Sequence, residues 1–216
     1  MKNIFERASR YLNLPLELGP RGLLVLAALL LIPTYFLPLW KLTMFAPQYP
    51  DGLRLGIYSY KLEGGNGGQD VKEINVLNHY IGMKDLAAGD FTEFKWMPFV
   101  IGALLLLLLR TAVLGKVGTL VDLFVVFVYF TAFSLWSFGY KLYRYGHDLA
   151  PTAAVKVAPF MPPLYGHRKL ANFDVYSYPA AGSYVLAAVS LLLAGALWLA
   201  WRESRSELAS DSRMAG

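Results

Sequence analysis

Two residues suited to metal chemistry stand together in a polar stretch between apolar runs. His79 and Met83 are four residues apart, so on a helical turn they would share one face. The other two histidines, His147 and His167, lie in a second polar stretch. Imidazole and thioether groups suit copper, and methionine suits Cu(I) in particular. These four residues are therefore a candidate copper site, although a lone histidine is more commonly a hydrogen-bonded structural residue.

Other chemistries have little support in the sequence. It contains no G-x-S-x-G, H-E-x-x-H or P-loop pattern, so no catalytic residues are predicted and a non-enzymatic role is favoured. The absence of cysteine excludes disulfides, thiolate metal sites and covalent haem attachment. Because the basic residues are scattered, the formal charge of +5 does not indicate nucleic acid, but it fits attraction to anionic lipid head groups.

The composition indicates that the chain lies in a lipid bilayer. It has 216 residues, of which 56% are hydrophobic and only 16% charged, whereas a soluble domain carries about 25% charged residues. We predict an all-α membrane protein with four transmembrane helices and two long extracytoplasmic loops. The predicted segments, in chain order, are an amphipathic tail (1–21), a span (22–40), the first loop (41–96), a span (97–114), a tight turn (115–119), a span (120–138), the second loop (139–182), a span (183–201) and a disordered tail (202–216).

The first long loop has a pattern typical of β-structure. Leu53, Leu55 and Ile57 alternate with small or polar residues, which predicts a strand. The glycine-rich segment 64–68 predicts a turn, and Val71, Ile74 and Val76 suggest a returning strand. The loop is therefore predicted to contain a β-hairpin.

The distribution of basic residues predicts the orientation of the spans. Lys and Arg are denser in the two tails and in the tight turn than in the long loops. Both termini are therefore predicted to be cytoplasmic and both loops to lie outside. Trp40, Trp96 and Trp136 would then meet the outer interface, as an aromatic belt requires.

Two charged residues are predicted close to the tight turn. Arg110 lies near the end of the second span and Asp122 near the start of the third. An ionisable residue inside a membrane is a functional candidate by default. The preferred interpretation is a structural ion pair that locks the helical hairpin.

The two long loops must share the small area above a four-helix bundle, so we expect them to contact each other. His79 and Met83 should then approach His147 or His167. If the imidazole rings face each other, a transient Cu(I) site is predicted. If they instead bond to an aspartate or a backbone carbonyl, the cluster is a structural clasp between the loops.

As whole strings, both loops resemble a known family. Segments 46–53 and 77–84 of the first loop, and 145–149, 162–164, 166–167 and 172–179 of the second, resemble the NosB-like family of polytopic membrane proteins, which are encoded in atypical nitrous oxide reductase (nos) gene clusters. The resemblance covers about residues 40–184, with mild departures at Asp51 and Val76. The family-like positions include Pro47, Gln48, Tyr49, Pro50, Asn78, His79, Tyr80, Gly82, Met83, Asp148 and Asp174.

The resemblance implies a context more than a mechanism. It implies a multi-pass accessory protein of a bacterial inner membrane that supports maturation of nitrous oxide reductase, or its electron or copper supply. Copper is thereby a candidate cofactor, and proteins of the reductase system are candidate partners besides the lipid bilayer. Two alternatives stay open, namely a small transporter, of copper or of another substrate, and a non-catalytic quinol-facing subunit of a larger respiratory complex.

Overall fold

The computed structural model describes residues 2–170 and 172–214 of the chain. This part of the chain contains six α-helices and five β-strands. In chain order they are two helices, three strands, three helices, two strands and a last helix. They are α1 (Lys2–Leu12), α2 (Leu18–Leu31), β1 (Trp40–Ala46), β2 (Tyr49–Ile57), β3 (Leu62–Gly64), α3 (Gln69–Tyr80), α4 (Glu93–Leu114), α5 (Val117–His147), β4 (Gly166–Leu170), β5 (Phe173–Pro179) and α6 (Ala181–Met214).

Four of these elements are helices long and apolar enough to cross a membrane, which confirms the predicted number. The candidate spans are Leu18–Tyr35, Glu93–Leu114, Val117–His147 and Ala181–Arg205. The first span ends in a 3-10 turn that contains Pro33, because proline lacks the N–H that an α-helix needs. Its predicted end at residue 40 was wrong, since β1 begins at Trp40. The prediction of a disordered tail was also wrong, because α6 continues as a helix to Met214.

The chain divides into two compact units. The first, the helical unit, contains Met1–Ile32, Val100–Thr131 and Val185–Gly216. Its buried positions recur every three or four residues, as in Leu104 and Leu108 of α4, which is the period of a helix packed on one face. A backbone bridge between Pro15 and Lys116 joins the segment after α1 to the turn between α4 and α5.

The second unit, the sheet unit, contains Pro33–Phe99 and Ala132–Tyr184. Its five strands form one antiparallel sheet in the order β3-β2-β1-β5-β4. The strands β1 and β5 come from different long loops and pair at its centre, with Thr43 opposite Tyr176. The two loops are therefore parts of a single sheet, and the predicted all-α class needs this correction.

The predicted hairpin is present with different partners. The strand through Leu53 and Leu55 pairs with β1 on one side and with β3 on the other. The stretch predicted as the returning strand is instead α3. Its buried residues Ile74, Leu77 and Asn78 follow a helical spacing of three and four, which the β-branched residues obscured in the sequence.

One face of the sheet packs against α3 to make the core of the sheet unit. Leu53, Leu55 and Val175 alternate along their strands with more exposed residues, and they share one hydrophobic cluster with Ile74 and Leu77. This alternation is the mark of a sheet buried on one side only.

A buried carboxylate fixes the start of α3. Asp70 accepts hydrogen bonds from the Arg54 backbone N–H and the Asn66 side chain, both at 2.8 Å. Gly65 must lack a side chain, because an added Cβ would meet the Asp70 carboxylate at 2.4 Å. The glycine-rich segment is thereby held by one aspartate, and it leads the chain from β3 into α3.

Candidate functional site

The turn that follows α3 separates the two residues that were expected to act together. The helix ends at Tyr80, and Gly82 adopts a left-handed conformation with φ of 81° that glycine favours. His79 is exposed on the last turn of α3. Met83 is half-buried and packs against the core of the sheet unit. The predicted helical turn shared by His79 and Met83 was therefore wrong.

The same turn contacts the second long loop, as predicted. The backbone N–H of Ala150 donates to the Gly82 carbonyl at 2.8 Å, and that of Val155 donates to the Tyr80 carbonyl at 3.0 Å. There is no room for a side chain at Gly82, since an added Cβ would lie 2.9 Å from the Ala150 carbonyl oxygen. The contact between the loops is thus made by backbone groups at a glycine.

The other two histidines make hydrogen bonds close to their own positions. His147 Nδ1 lies 2.9 Å from the Tyr143 carbonyl oxygen, and its ring stacks on Tyr143. His167 Nε2 lies 2.8 Å from the Asp174 carboxylate, and its ring stacks on a tyrosine of β5 at a centroid distance of 4.5 Å. These contacts match the alternative in which imidazoles bond to an aspartate or a backbone carbonyl. Each contact stays within one loop, so neither histidine clasps the loops together.

The three histidines do not meet as one group. Within residues 2–170 and 172–214, no group of three or more His, Cys, Asp or Glu side chains is placed to hold a metal ion. A site that combines Met83 with fewer than three histidines is a different arrangement, which this finding does not test. Copper binding at His79, Met83, His147 and His167 stays a prediction.

Asp148, one of the family-like positions, is part of an exposed ion-pair network. Arg144 Nε donates to its carboxylate at 2.8 Å, and Lys84 Nζ lies 3.7 Å from it. The hydrogen bond from Arg144, helped by both positive charges, holds the Asp148 pKa below its usual value. Through Lys84 this network adds a side-chain contact between the two loops beside the Gly82 turn.

One family-like residue of the first loop, Tyr49, joins the β1–β2 hairpin to α3. Pro47 and Gln48 form the two-residue turn between the strands, and Pro50 is exposed at the start of β2. Tyr49 donates a hydrogen bond to Glu73 of α3. This bond lowers the Glu73 pKa and raises the Tyr49 pKa, because it favours the ionised carboxylate and the protonated phenol. Tyr49 therefore has a structural role.

The predicted ion pair near the tight turn does not form. Arg110 and Asp122 are both exposed, and no ion pair joins them among those of the described residues. The physical reason is the position of Arg110 around the axis of α4. The buried residues of α4 are Ile101, Leu104, Leu108, Thr111 and Ala112, and Arg110 falls outside that stripe.

The sheet unit contains a cavity that sequence reasoning missed. It has a volume of about 90 Å³ and lies between the sheet, α3 and the last turns of α5. Its surface is almost wholly apolar, and the flexible side chains of Met44 and Met83 are part of its wall. The wall residues are far apart in the sequence and most are apolar residues of ordinary core types, so no local pattern could have revealed the cavity.

A charged group borders this cavity. Lys141 of α5 is one of the lining residues, and its ammonium group donates to the Asp90 carbonyl oxygen at 2.8 Å. It also lies 3.4 Å from Glu93 Oε2 and 5.1 Å from the centre of the Phe91 ring. Ser137 donates to the other Glu93 oxygen at 2.7 Å. The wall of the cavity is therefore apolar, and Lys141 lines it while its ammonium group pairs with Glu93, which is not a lining residue.

Comparison of the chain with protein-family models, with curated proteins and with solved structures finds no match in any of the three. The geometry of the sheet unit is therefore the basis for a functional interpretation, together with the resemblance of the two loops.

Proposed function

We propose that the chain is a multi-pass accessory protein of a bacterial inner membrane that supports nitrous oxide reductase. In this proposal the sheet unit engages a protein of the reductase system outside the cytoplasm, and both termini lie in the cytoplasm. The observation that carries it is the pairing of β1 with β5, which builds one domain from both long loops.

The four apolar helices support the membrane part of the proposal. In the apolar stretch of each candidate span, only 22% to 33% of the residues are buried inside the protein. Most of the apolar surface of these helices is therefore exposed. Large apolar side chains such as Leu106 and Leu191 are 66% and 74% exposed. Soluble proteins rarely expose so much apolar surface, whereas lipid would cover it. Strands of both loops lie in one sheet, so the loops must share one side of any membrane that the helices cross.

The polar contacts of the sheet unit favour a binding role over catalysis. Asp148, Asp174 and Glu73 are each held by a neighbouring side chain, and these contacts fix strands and turns. The outward face of the sheet, on the side away from Val175 and the core, bears half-buried Thr43 and Tyr176 and the His167–Asp174 pair. A sheet face of aromatic and charged residues suits recognition of another protein. The resemblance of the loops supplies the identity of that partner system.

The proposal is tested by deleting the chain from a host that reduces nitrous oxide. Nitrous oxide consumption should fall, and the full-length chain supplied in trans should restore it. The copper content of the purified reductase then separates two forms of the proposal. Copper-poor reductase indicates a role in copper supply or maturation, whereas fully loaded but unreduced reductase indicates electron supply. Unchanged consumption in the deletion strain would refute the proposal.

A pair of variants connects that test to the sheet unit. Replacing Tyr176, on the outward face of the sheet, with Glu should abolish complementation without loss of the protein from the membrane. Replacing Tyr129, a 71% exposed residue of the helical unit, with Phe should complement fully. Equal complementation by both variants would exclude the outward face of the sheet as the contact surface.

A further inference from the structure

One end of the five-stranded sheet is connected almost directly to two candidate spans. Only residues 36–39 separate the span Leu18–Tyr35 from the start of β1, and only Ala180 separates the end of β5 from the span Ala181–Arg205. Trp40, the first residue of β1, pairs with Pro179, the last residue of β5. We call this end of the sheet the span-side end and the opposite end the far end.

Hydrogen bonds within the sheet unit fix the span-side end to the residues that lead into the spans. The Gly182 N–H donates to the Pro38 carbonyl, and the Ala180 N–H donates to the Leu39 carbonyl, both at 2.9 Å. The Ser183 hydroxyl donates to the same Leu39 carbonyl at 2.6 Å. Since no flexible linker intervenes, β1 must begin and β5 must end close to the surface of any membrane that the two spans cross.

The other strands bring aromatic side chains to the same end. Because the sheet is antiparallel, β2 ends there, and β3 and β4 begin there. In the turn between β2 and β3, the Lys61 ammonium group lies 4.8 Å from the centre of the Tyr58 ring and 5.6 Å from that of Tyr60. Just before β4, Tyr165 packs edge-on against Tyr178 at a centroid distance of 5.4 Å. Tyr60 is 44% exposed and Tyr165 is 71% exposed, so both rings face the surroundings of the protein.

The far end has a different composition. The turn between β1 and β2 is Pro47-Gln48, and the segment between β3 and α3 (65–68) consists of glycine and asparagine. Within residues 2–170 and 172–214, no large apolar or aromatic side chain is exposed in the turns of this end. Polar turns of this kind suit water, whereas exposed tyrosines are enriched where a protein meets the interface of a bilayer. The two ends of one sheet are therefore suited to different surroundings.

We propose that the span-side end of the sheet is a lipid-binding surface, with the rings of Tyr60, Tyr165 and Tyr178 among phospholipid head groups. Tyrosine suits this position because its ring is apolar and its hydroxyl is polar. The far end then lies about 20 Å further from the membrane, since β1 has seven residues at about 3.3 Å each. This proposal rests on the membrane-spanning part of the proposed function, and it is independent of the role in nitrous oxide respiration.

The test measures the depth of single fluorescent labels, because the chain has no cysteine of its own. Four variants of the full chain each carry one labelled cysteine, at Tyr60→Cys, Tyr165→Cys, Gln48→Cys or Leu106→Cys. Gln48 is the matched control, an exposed turn residue of the same sheet at the far end. Leu106, in a candidate span, reports whether the helices lie in the bilayer at all. Each variant is reconstituted in phosphatidylcholine vesicles that carry a nitroxide quencher either on the head group or midway along the acyl chain.

We expect the head-group nitroxide to quench the labels at 60 and 165 at least about threefold more strongly than the label at 48, because quenching is short-ranged and the far end is about 20 Å away. The acyl-chain nitroxide should quench the label at 106 most strongly. Two labelled positions at the span-side end keep the test decisive if one of the variants fails to fold.

Three other outcomes would count against the proposal in different ways. Quenching at 106 with labels at 60 and 165 as little quenched as that at 48 would overturn it and leave the membrane-spanning helices intact. Equally strong head-group quenching at 48, 60 and 165 would also overturn it, because the sheet would then lie flat on the membrane. A label at 106 that neither nitroxide quenches would refute the membrane part of the proposed function, and this proposal with it.

Discussion

The helical unit and the sheet unit of this chain are stabilised in different ways. In the helical unit, apolar residues at helical spacing pack on one face, and many equally apolar residues on the other faces are exposed. In the sheet unit, apolar residues are mostly inside, and backbone and side-chain hydrogen bonds tie separate parts of the chain together. The first arrangement suits a lipid solvent and the second suits water.

The difference indicates where specific function resides. A helix face that meets lipid tolerates any apolar side chain, so its sequence carries little information about a partner. The sheet unit instead depends on individual residues such as Asp70, Gly82 and Tyr49, each with a defined contact. The cavity of the sheet unit and the outward face of its sheet are also the features that could recognise another molecule.

The largest expected effect is a difference in the free energy of unfolding between two leucine-to-alanine substitutions, one in each unit. Leu55→Ala removes a 3% exposed side chain from the core of the sheet unit and should cost about 2–5 kcal/mol in free energy of unfolding. Leu106→Ala removes a 66% exposed side chain of the helical unit and should change it by less than about 0.5 kcal/mol. Urea unfolding followed by tryptophan fluorescence measures both. Equal losses would contradict the assignment of Leu106 to a lipid-facing surface.

A smaller effect is expected at the contact between the loops. Gly82 and Gly67 both have positive φ values, 81° and 65°, but only Gly82 lies against other atoms. Gly67→Ala should therefore cost about 1 kcal/mol, for the left-handed backbone alone. Gly82→Ala should cost about 2 kcal/mol or more, because the Ala150 carbonyl must also move. Thermal unfolding of the two variants gives the comparison, and a smaller loss for Gly82→Ala would refute the tight packing.

The smallest expected effect concerns acid stability. The Asp148 pKa is lowered in the folded chain, so its ion pairs stabilise the fold above the ordinary aspartate pKa of about 3.9. This contribution is lost as the pH falls through the lowered pKa. Asp148→Asn should therefore slightly lower the melting temperature at pH 7 and flatten its decline below about pH 4. The effect is small because both partners are exposed and solvent screens the pair. A steeper acid decline in the variant would contradict the direction of the pKa change.

The sequence predicted the four apolar helices because a long uncharged run has few other structural outcomes. Their ends were harder to predict. The span that begins near Leu18 was expected to reach residue 40, but β1 takes Trp40 into the sheet. Hydrophobic composition alone cannot distinguish an apolar helix end from an apolar strand that follows a proline.

The strand order of the sheet and the residues of the candidate site were harder to predict, because residues that are distant in the sequence but adjacent in the fold leave no local pattern. The strand through Leu53 was recognised by its alternation, but its neighbours β1 and β3 were not. The partner of β1 lies more than 130 residues further along the chain, where Tyr176 faces Thr43. Likewise, the residues that line the cavity became neighbours only through folding, as Met44 and Lys141 illustrate.

The most direct test of the account is a disulfide across the strand pair that joins the two long loops. Thr43 and Tyr176 are direct partners, and opposite residues of antiparallel strands have Cα atoms about 4.5–5.5 Å apart, within the range of a disulfide. The chain has no cysteine, so Thr43→Cys with Tyr176→Cys introduces the only two thiols. Thr43→Cys with Tyr178→Cys, two residues out of register, is the control. We predict that mild oxidation links 43 to 176 nearly completely and much faster than 43 to 178, as mass spectrometry of the digested protein would show. Free thiols at both 43 and 176 after oxidation would contradict the single sheet on which the account depends.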